Sequence, residues 1–260
     1  MNRRVFLSTG VSTVAGTIFS EERVRSIGVS IKQEPLAFDF AALEPYLDAG
    51  SVRAHYERIH ADYTIRLRET LGAVNLDVAN LTSLISCITT IPTPSNANSI
   101  LSFGRKPGPL PAEAQKAIRT YGGGHLNHTV FWRFLAPHGS GPAGPEGRVA
   151  AAIQAEFGGI DDFMEKFTQA ALTHEGPGWV WLVYRPDGRL VVTTTSSNDH
   201  PMMKEFVPEG ECGKPILCLD LWDHALSLRF KNNRQGYVAA WWNVVNWAFV
   251  SKAYAIVTSV

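Results

Sequence analysis

Apolar residues recur at helical spacing through positions 40–72, with one break near Gly50-Ser51. Ser51 is placed to cap a helix carrying His55, on which His55, Ile59 and Tyr63 recur at i, i+4 and i+8 and share a face. A second amphipathic stretch covers 78–91. Residues 92–111 hold five prolines, several Asn and Ser, and Gly104-Arg105-Lys106-Pro107-Gly108, the pattern of an exposed loop. A further helix from Pro111 to about Leu135 carries Gly124 and His128 at i and i+4. The Gly- and Pro-rich run Pro137 to Pro145 marks a domain boundary, and helices follow over 146–157 and 160–173. Trp179–Tyr184 and Leu190–Thr195 read as strands joined by the hairpin signal Pro186-Asp187-Gly188-Arg189. Ile216–Leu221 reads as a third strand, with helices at about 223–230 and 234–257. The predicted class is α+β: an N-terminal α-helical hairpin domain (31–137), then an α/β domain (138–260) with a small antiparallel three-stranded sheet. No internal repeat appears.

A chain of 260 residues can bury a substantial core. Charged residues are 18% and sum to zero, which gives no basis for a nucleic-acid partner. The N-terminus reads separately. Asn2-Arg3-Arg4-Val5-Phe6-Leu7-Ser8 is a twin-arginine signature before an apolar stretch ending near Phe19. That stretch is too short for a stable membrane anchor, so residues 1–30 read as a disordered export signal, with a periplasmic destination. A bland reading, in which the two arginines occur by chance, competes with it. The three cysteines, Cys87, Cys212 and Cys218, form no framework. An oxidising compartment would allow a Cys212–Cys218 disulfide, while its apolar surroundings mark Cys218 as a small buried residue.

The chemistry concentrates in Asp220-Leu221-Trp222-Asp223-His224, where a carboxylate and an imidazole end an apolar run. Neither is comfortable beside buried apolar surface unless paired, and both are metal ligands. His55 and His128 lie in contexts that could complete a site. Alone, His55 is more often a surface or satisfied core histidine than a ligand, and His128 is as readily one as the other. His60, His125, His138, His174 and His200 read as surface or supporting residues.

Together these segments resemble the iron/manganese superoxide dismutase family, from about Phe38 to the C-terminus. The carriers are Ala42-Leu43-Glu44-Pro45-Tyr46-Leu47-Asp48, the His55 helix, Asn127-His128-Thr129-Val130-Phe131-Trp132, Gly178-Trp179-Val180-Trp181-Leu182, the pentad, and Trp242-Asn243-Val244-Val245-Asn246-Trp247. The resemblance implies ligands His55, His128, Asp220 and His224 holding one Mn or Fe ion per subunit. It also implies ping-pong conversion of superoxide to dioxygen and hydrogen peroxide, and a homodimer or tetramer. It makes Tyr63 a gateway and proton-relay group, and Trp179 and Trp222 walls of the pocket. An amide that tunes the metal-bound solvent falls to Asn198, because Gly124 cannot supply it; that arrangement favours Mn. Asn198 is one methylene shorter than the usual Gln. Further departures are Ile59 for a gateway His, Leu226 for a partner-contacting Tyr, Asp223 for a bridging Glu, and Asn233 beside Arg234 where two arginines are expected near the entrance; Arg58 keeps a charge there. They leave room for a metal-binding relative with little dismutase activity, and more remotely for zinc-dependent hydrolysis.

Overall fold

The computed structural model describes residues 30–91, 109–231 and 233–259. The export-signal reading of 1–30 and most of the 92–111 loop reading lie outside them. Among the described residues no helix is long and apolar enough to cross a membrane.

The chain adopts the predicted α+β architecture. Helix α1 (Ala49–Ala54) runs through a π-helical turn, His55–His60, into α2 (Ala61–Ala73). Its cap is Asp48, whose carboxylate accepts from Ser51 N at 2.9 Å, so the expected Ser51 cap is displaced by three residues. The π turn also alters the predicted face. An i→i+5 turn advances the inner face by one residue, bringing His60 rather than Ile59 inward: His60 is 1% exposed and Ile59 is half-buried. The expected stretch at 78–91 contracts to α3 (Leu81–Ile85), capped by Asn80, and a 3-10 turn at Ile88–Thr90. Leu110 N donates to Ile91 O at 3.1 Å, pinning together the ends of the intervening segment.

The second hairpin arm repeats the device: α4 (Ala112–Ala117), a π turn at Ile118–Gly122, then α5 (Gly123–Arg133). Helices α6 (Gly147–Phe157) and α7 (Ile160–Thr173) follow, and α7 buries Phe163, Phe167 and Ala171 at i, i+4 and i+8. Strands β1 (Gly178–Tyr184), β2 (Leu190–Ser196) and β3 (Lys214–Asp220) form one antiparallel sheet in the order β2-β1-β3. Strand β3 starts two residues before the expectation and ends one before it. Pro215 is tolerated because β3 is an edge strand and the β1–β3 register shifts between Leu182 and Val183.

Helices α8 (Asp223–Phe230) and α9 (Arg234–Trp241) lead to α10 (Trp247–Thr258). The single helix expected over 234–257 is therefore interrupted. Asn246 explains the break: its Oδ1 caps α10 at Phe249 N (3.0 Å), while its Nδ2 donates to Arg133 O (3.2 Å). Val245 bridges Leu135. The C-terminal helix is thus tied to the end of the hairpin. Cys212 and Cys218 are both buried and free, so the Cys212–Cys218 disulfide does not form.

Candidate metal centre

Strand register places the carboxylate. Trp179 of β1 pairs with Asp220, the last residue of β3, and Leu221 N donates to Gly178 O at 2.9 Å. Asp220 is therefore carried into the interior at 0% exposure. The chain turns at Trp222, and α8 begins at once, setting His224 one turn beyond Asp220. The hairpin supplies the rest: His55 opens the π turn after α1, and His128 lies mid-α5.

The structure brings His55, His128, Asp220 and His224 together, with one ligand atom from each inside a 4.8 Å span. Asp220 Oδ2 faces His55 Nε2 at 3.1 Å, His224 Nε2 at 3.2 Å and His128 Nε2 at 3.5 Å. Its Oδ1 turns away and accepts Trp222 N at 2.8 Å. His128 Nδ1 donates to Gly124 O at 2.6 Å, which leaves Nε2 as a bare lone pair aimed at the centre. His55 Nε2 and His128 Nε2 are buried without a hydrogen-bond partner among the described residues. Burial holds both imidazoles below their usual pKa, so they are neutral. Burial opposes ionisation of Asp220, but the facing His224 and His55 outweigh it and hold the carboxyl below its usual range. Neutral His55 and His128 imidazoles and an ionised Asp220 carboxylate are the protonation states a metal requires. With no thiol among them, this donor set fits Mn or Fe.

Aromatic rings wall the centre. Trp179 meets His128 edge-on (5.1 Å), and Trp222 stacks on His224 (5.7 Å) while its Nε1 donates to Ser197 O (3.1 Å). Trp132 and Phe131 pack on His55 at 4.8 and 5.5 Å. The sequence reading missed these two, although they sit at i+3 and i+4 from His128 and so share its face. The Tyr63 ring lies 5.3 Å from His128. It occupies the space over Gly124: a Cβ there would fall 2.5–2.7 Å from Tyr63 ring carbons. Asn198 is 4% exposed, and its side chain acts on the Tyr63 phenol. Burial pushes the Tyr63 pKa up, against a lowering influence from the Asn198 amide. With its Oδ1 turned toward Trp179, the Asn127 amide accepts from Trp179 Nε1 (3.2 Å) and donates to Gly123 O (3.1 Å).

Profiles of known proteins agree with this arrangement. The family model for iron/manganese superoxide dismutases, alpha-hairpin domain, matches residues 32–136, and that for their C-terminal domain matches 145–253. The chain belongs to the iron/manganese superoxide dismutase family. Superoxide dismutase [Mn] 1 of Leptolyngbya boryana is 40% identical over 86% of this chain and 80% of its own length. Superoxide dismutase [Mn] of Bordetella pertussis is 37% identical over 85% and 92%. Superoxide dismutase [Mn/Fe] of Methylomonas sp. (strain J) is 36% identical over 85% and 95%. Superoxide dismutation with Mn or Fe is the activity of this superoxide dismutase family.

Two expectations are revised, and the choice left open for His60, His125 and His200 falls on the supporting role. Leu226 is 3% exposed and packs in the chain's own core, where the expectation had a residue at the surface. Arg234 donates to the Ala171 and His174 carbonyls; it closes the C-terminal end of α7 rather than standing free at an entrance. His60, His125 and His200 are buried, and the first two form a chain. Trp132 Nε1 meets His60 Nδ1 (3.2 Å), His60 Nε2 meets His125 Nδ1 (3.0 Å), and His125 Nε2 meets Ser30 O (2.9 Å). None of the three is in the ligand cluster.

Proposed function

We propose that His55, His128, Asp220 and His224 hold one Mn or Fe ion per subunit, with Mn preferred, and that the chain dismutates superoxide there. The observation that carries the assignment is the pair of bare, buried Nε2 atoms facing an ionised Asp220. When bound, the ion would supply one-electron redox chemistry toward superoxide. The protein supplies the rest. Asp220 offsets positive charge, and the Gly124 carbonyl fixes the His128 tautomer. Tyr63 Oη keeps its proton through burial and is placed to donate it to a small anion. Asn198 orients that phenol, and Trp222 and Trp179 exclude bulk water.

The Mn preference rests on Gly124. Tyr63 fills the place of any side chain there, so the tuning amide comes from the C-terminal domain, from Asn198. Relatives named for Mn point the same way. Asp223 is exposed beside His224, where a second subunit would reach it, which supports a homodimer or a tetramer built from it. The twin-arginine segment supports export, with the periplasm as destination. Elemental analysis and superoxide consumption on one natively exported sample test the reading. Near-stoichiometric Mn or Fe with activity is expected, and His128→Ala should abolish both while the fold survives. Metal without activity would favour the second reading, a metal-binding relative with little dismutase activity. The orphaned Asn198 Oδ1 is the observation in favour of that alternative.

A further inference from the structure

The segment carrying Asn198 is held from across the molecule. Arg119, in the π turn before α5, donates from Nε to Asp199 Oδ1 (2.6 Å) and from Nη2 to Asp199 Oδ2 (2.7 Å). The guanidinium also lies 3.9 Å from the Phe206 ring centroid. A two-bond fork fixes orientation as well as separation, and stacking on Phe206 restricts the fork further. The Asp199 side chain is 12% exposed and that of Arg119 39%, so solvent reaches the guanidinium and it is the fork geometry that fixes the segment.

Asn198 needs such a hold. Its side chain ends about 1.5 Å short of a Gln, one carbon–carbon bond. Its reach to Tyr63 is therefore set by where its backbone lies. That backbone presses on α5: a Cβ added to Gly123 would sit 2.0 Å from Asn198 O. Ser197 adopts φ +54°, so the turn is not at a relaxed minimum for a non-glycine residue. From its own domain the segment is held through main-chain atoms: Ser197 N to Pro177 O (2.8 Å), and Thr195 Oγ1 to Asp199 O (2.7 Å). The fork to Asp199 is the charged contact from the hairpin side.

We propose that Arg119 is a positioning residue: through Asp199 it presses the Ser197–Asp199 turn onto α5 and holds the Asn198 amide against Tyr63. For its effect on the metal, the inference rests on the reading of Asn198 as the amide that tunes the centre.

The test uses full-length protein as purified. In crystal structures of Arg119→Met and Asp199→Asn, the Asn198 amide should stand farther from the Tyr63 phenol than in the wild type. Arg119→Lys, which keeps the charge without the fork, should move it part of the way. An Asn198–Tyr63 separation unchanged from the wild type in both Arg119→Met and Asp199→Asn overturns the proposal. The second readout is the midpoint potential of the bound metal. Arg119→Met should shift the reduction equilibrium at least tenfold, 59 mV for one electron. That shift should vanish in an Asn198→Ala background, because the amide through which Arg119 acts is gone. A shift that persists there, or a lowered melting temperature with an unmoved potential, means a structural role only and overturns it. If Asn198→Ala itself leaves the potential unmoved, the tuning role of Asn198 falls, and the crystal structures still decide the clamp.

Discussion

Acid should unfold this protein partly through His200, a residue outside the metal cluster. His200 is 1% exposed. Its Nδ1 accepts from Met202 N at 3.2 Å, and its ring meets Trp181 edge-on at 5.2 Å. No carboxylate offsets the desolvation, and burial lowers its pKa to about 3. Protonation would turn Nδ1 from acceptor to donor and place a charge against apolar surface. The unfolded chain binds that proton near pH 6.5, the folded chain only near 3. The stability concerned is therefore complete above pH 6.5 and lost steadily as pH falls toward 3. The slope is about 1.4 kcal/mol per pH unit, which amounts to about 2 kcal/mol between pH 7 and 5. For a domain of this size that is a melting shift of roughly 4–8 °C. His200→Asn keeps an acceptor for Met202 but does not titrate. Urea unfolding of metal-loaded wild type and variant at pH 7, 6 and 5 isolates the effect, since metal loss and the other histidines are common to both. The wild type should lose about 2 kcal/mol more than the variant over this range. Parallel stability-versus-pH lines would refute the reasoning.

Gly124→Ala should cost about 1–3 kcal/mol by overpacking, because the new methyl meets the Tyr63 ring at 2.5–2.7 Å. Chemical denaturation should show that cost disappearing in a Tyr63→Ala background, and simple additivity would count against the contact. Asn198→Gln extends the amide toward the centre and should alter turnover or Mn-versus-Fe preference; identical kinetics in Mn- and Fe-loaded samples would remove Asn198 from the tuning role. Asn246→Ala removes the α10 cap and the tie to Arg133 O, and should lower stability by about 1–2 kcal/mol without changing metal content. Unchanged stability would show that Leu135 and Val245 alone join the helix to the hairpin.

Asp220 and His224 were legible as donors because a carboxylate and an imidazole end an apolar run. His55 and His128 joined them only through the resemblance to the family, since neither stands out alone. The predicted elements were legible from spacing, since Phe163, Phe167 and Ala171 at i, i+4 and i+8 leave α7 little choice of face. What stayed hidden depends on contacts between segments distant in sequence. A π turn has no propensity signature of its own, so the exchange of Ile59 for His60 on the inner face could not be foreseen from spacing. The break before α10 needed knowledge that Asn246 would find Arg133 O, 113 residues away.

The same limit governs the site. His55 and His128 come from the hairpin, and Asp220 and His224 from the sheet and the helix after it, so the ligand set exists only where the two units meet. Either unit alone would leave buried lone pairs or a buried carboxylate unpaired, at a cost of several kcal/mol. The contacts that fix this junction therefore belong to the chemistry as much as to the fold. Asn246 ties α10 to the hairpin end, and the Arg119–Asp199 fork ties the Asn198 turn to α5. A small displacement at the fork reaches Tyr63 with only Asn198 between the charge pair and the phenol. Loss of the Asn246 tie acts far from the metal and should register as stability alone. Those two outcomes separate the part of the junction that tunes the centre from the part that only assembles it.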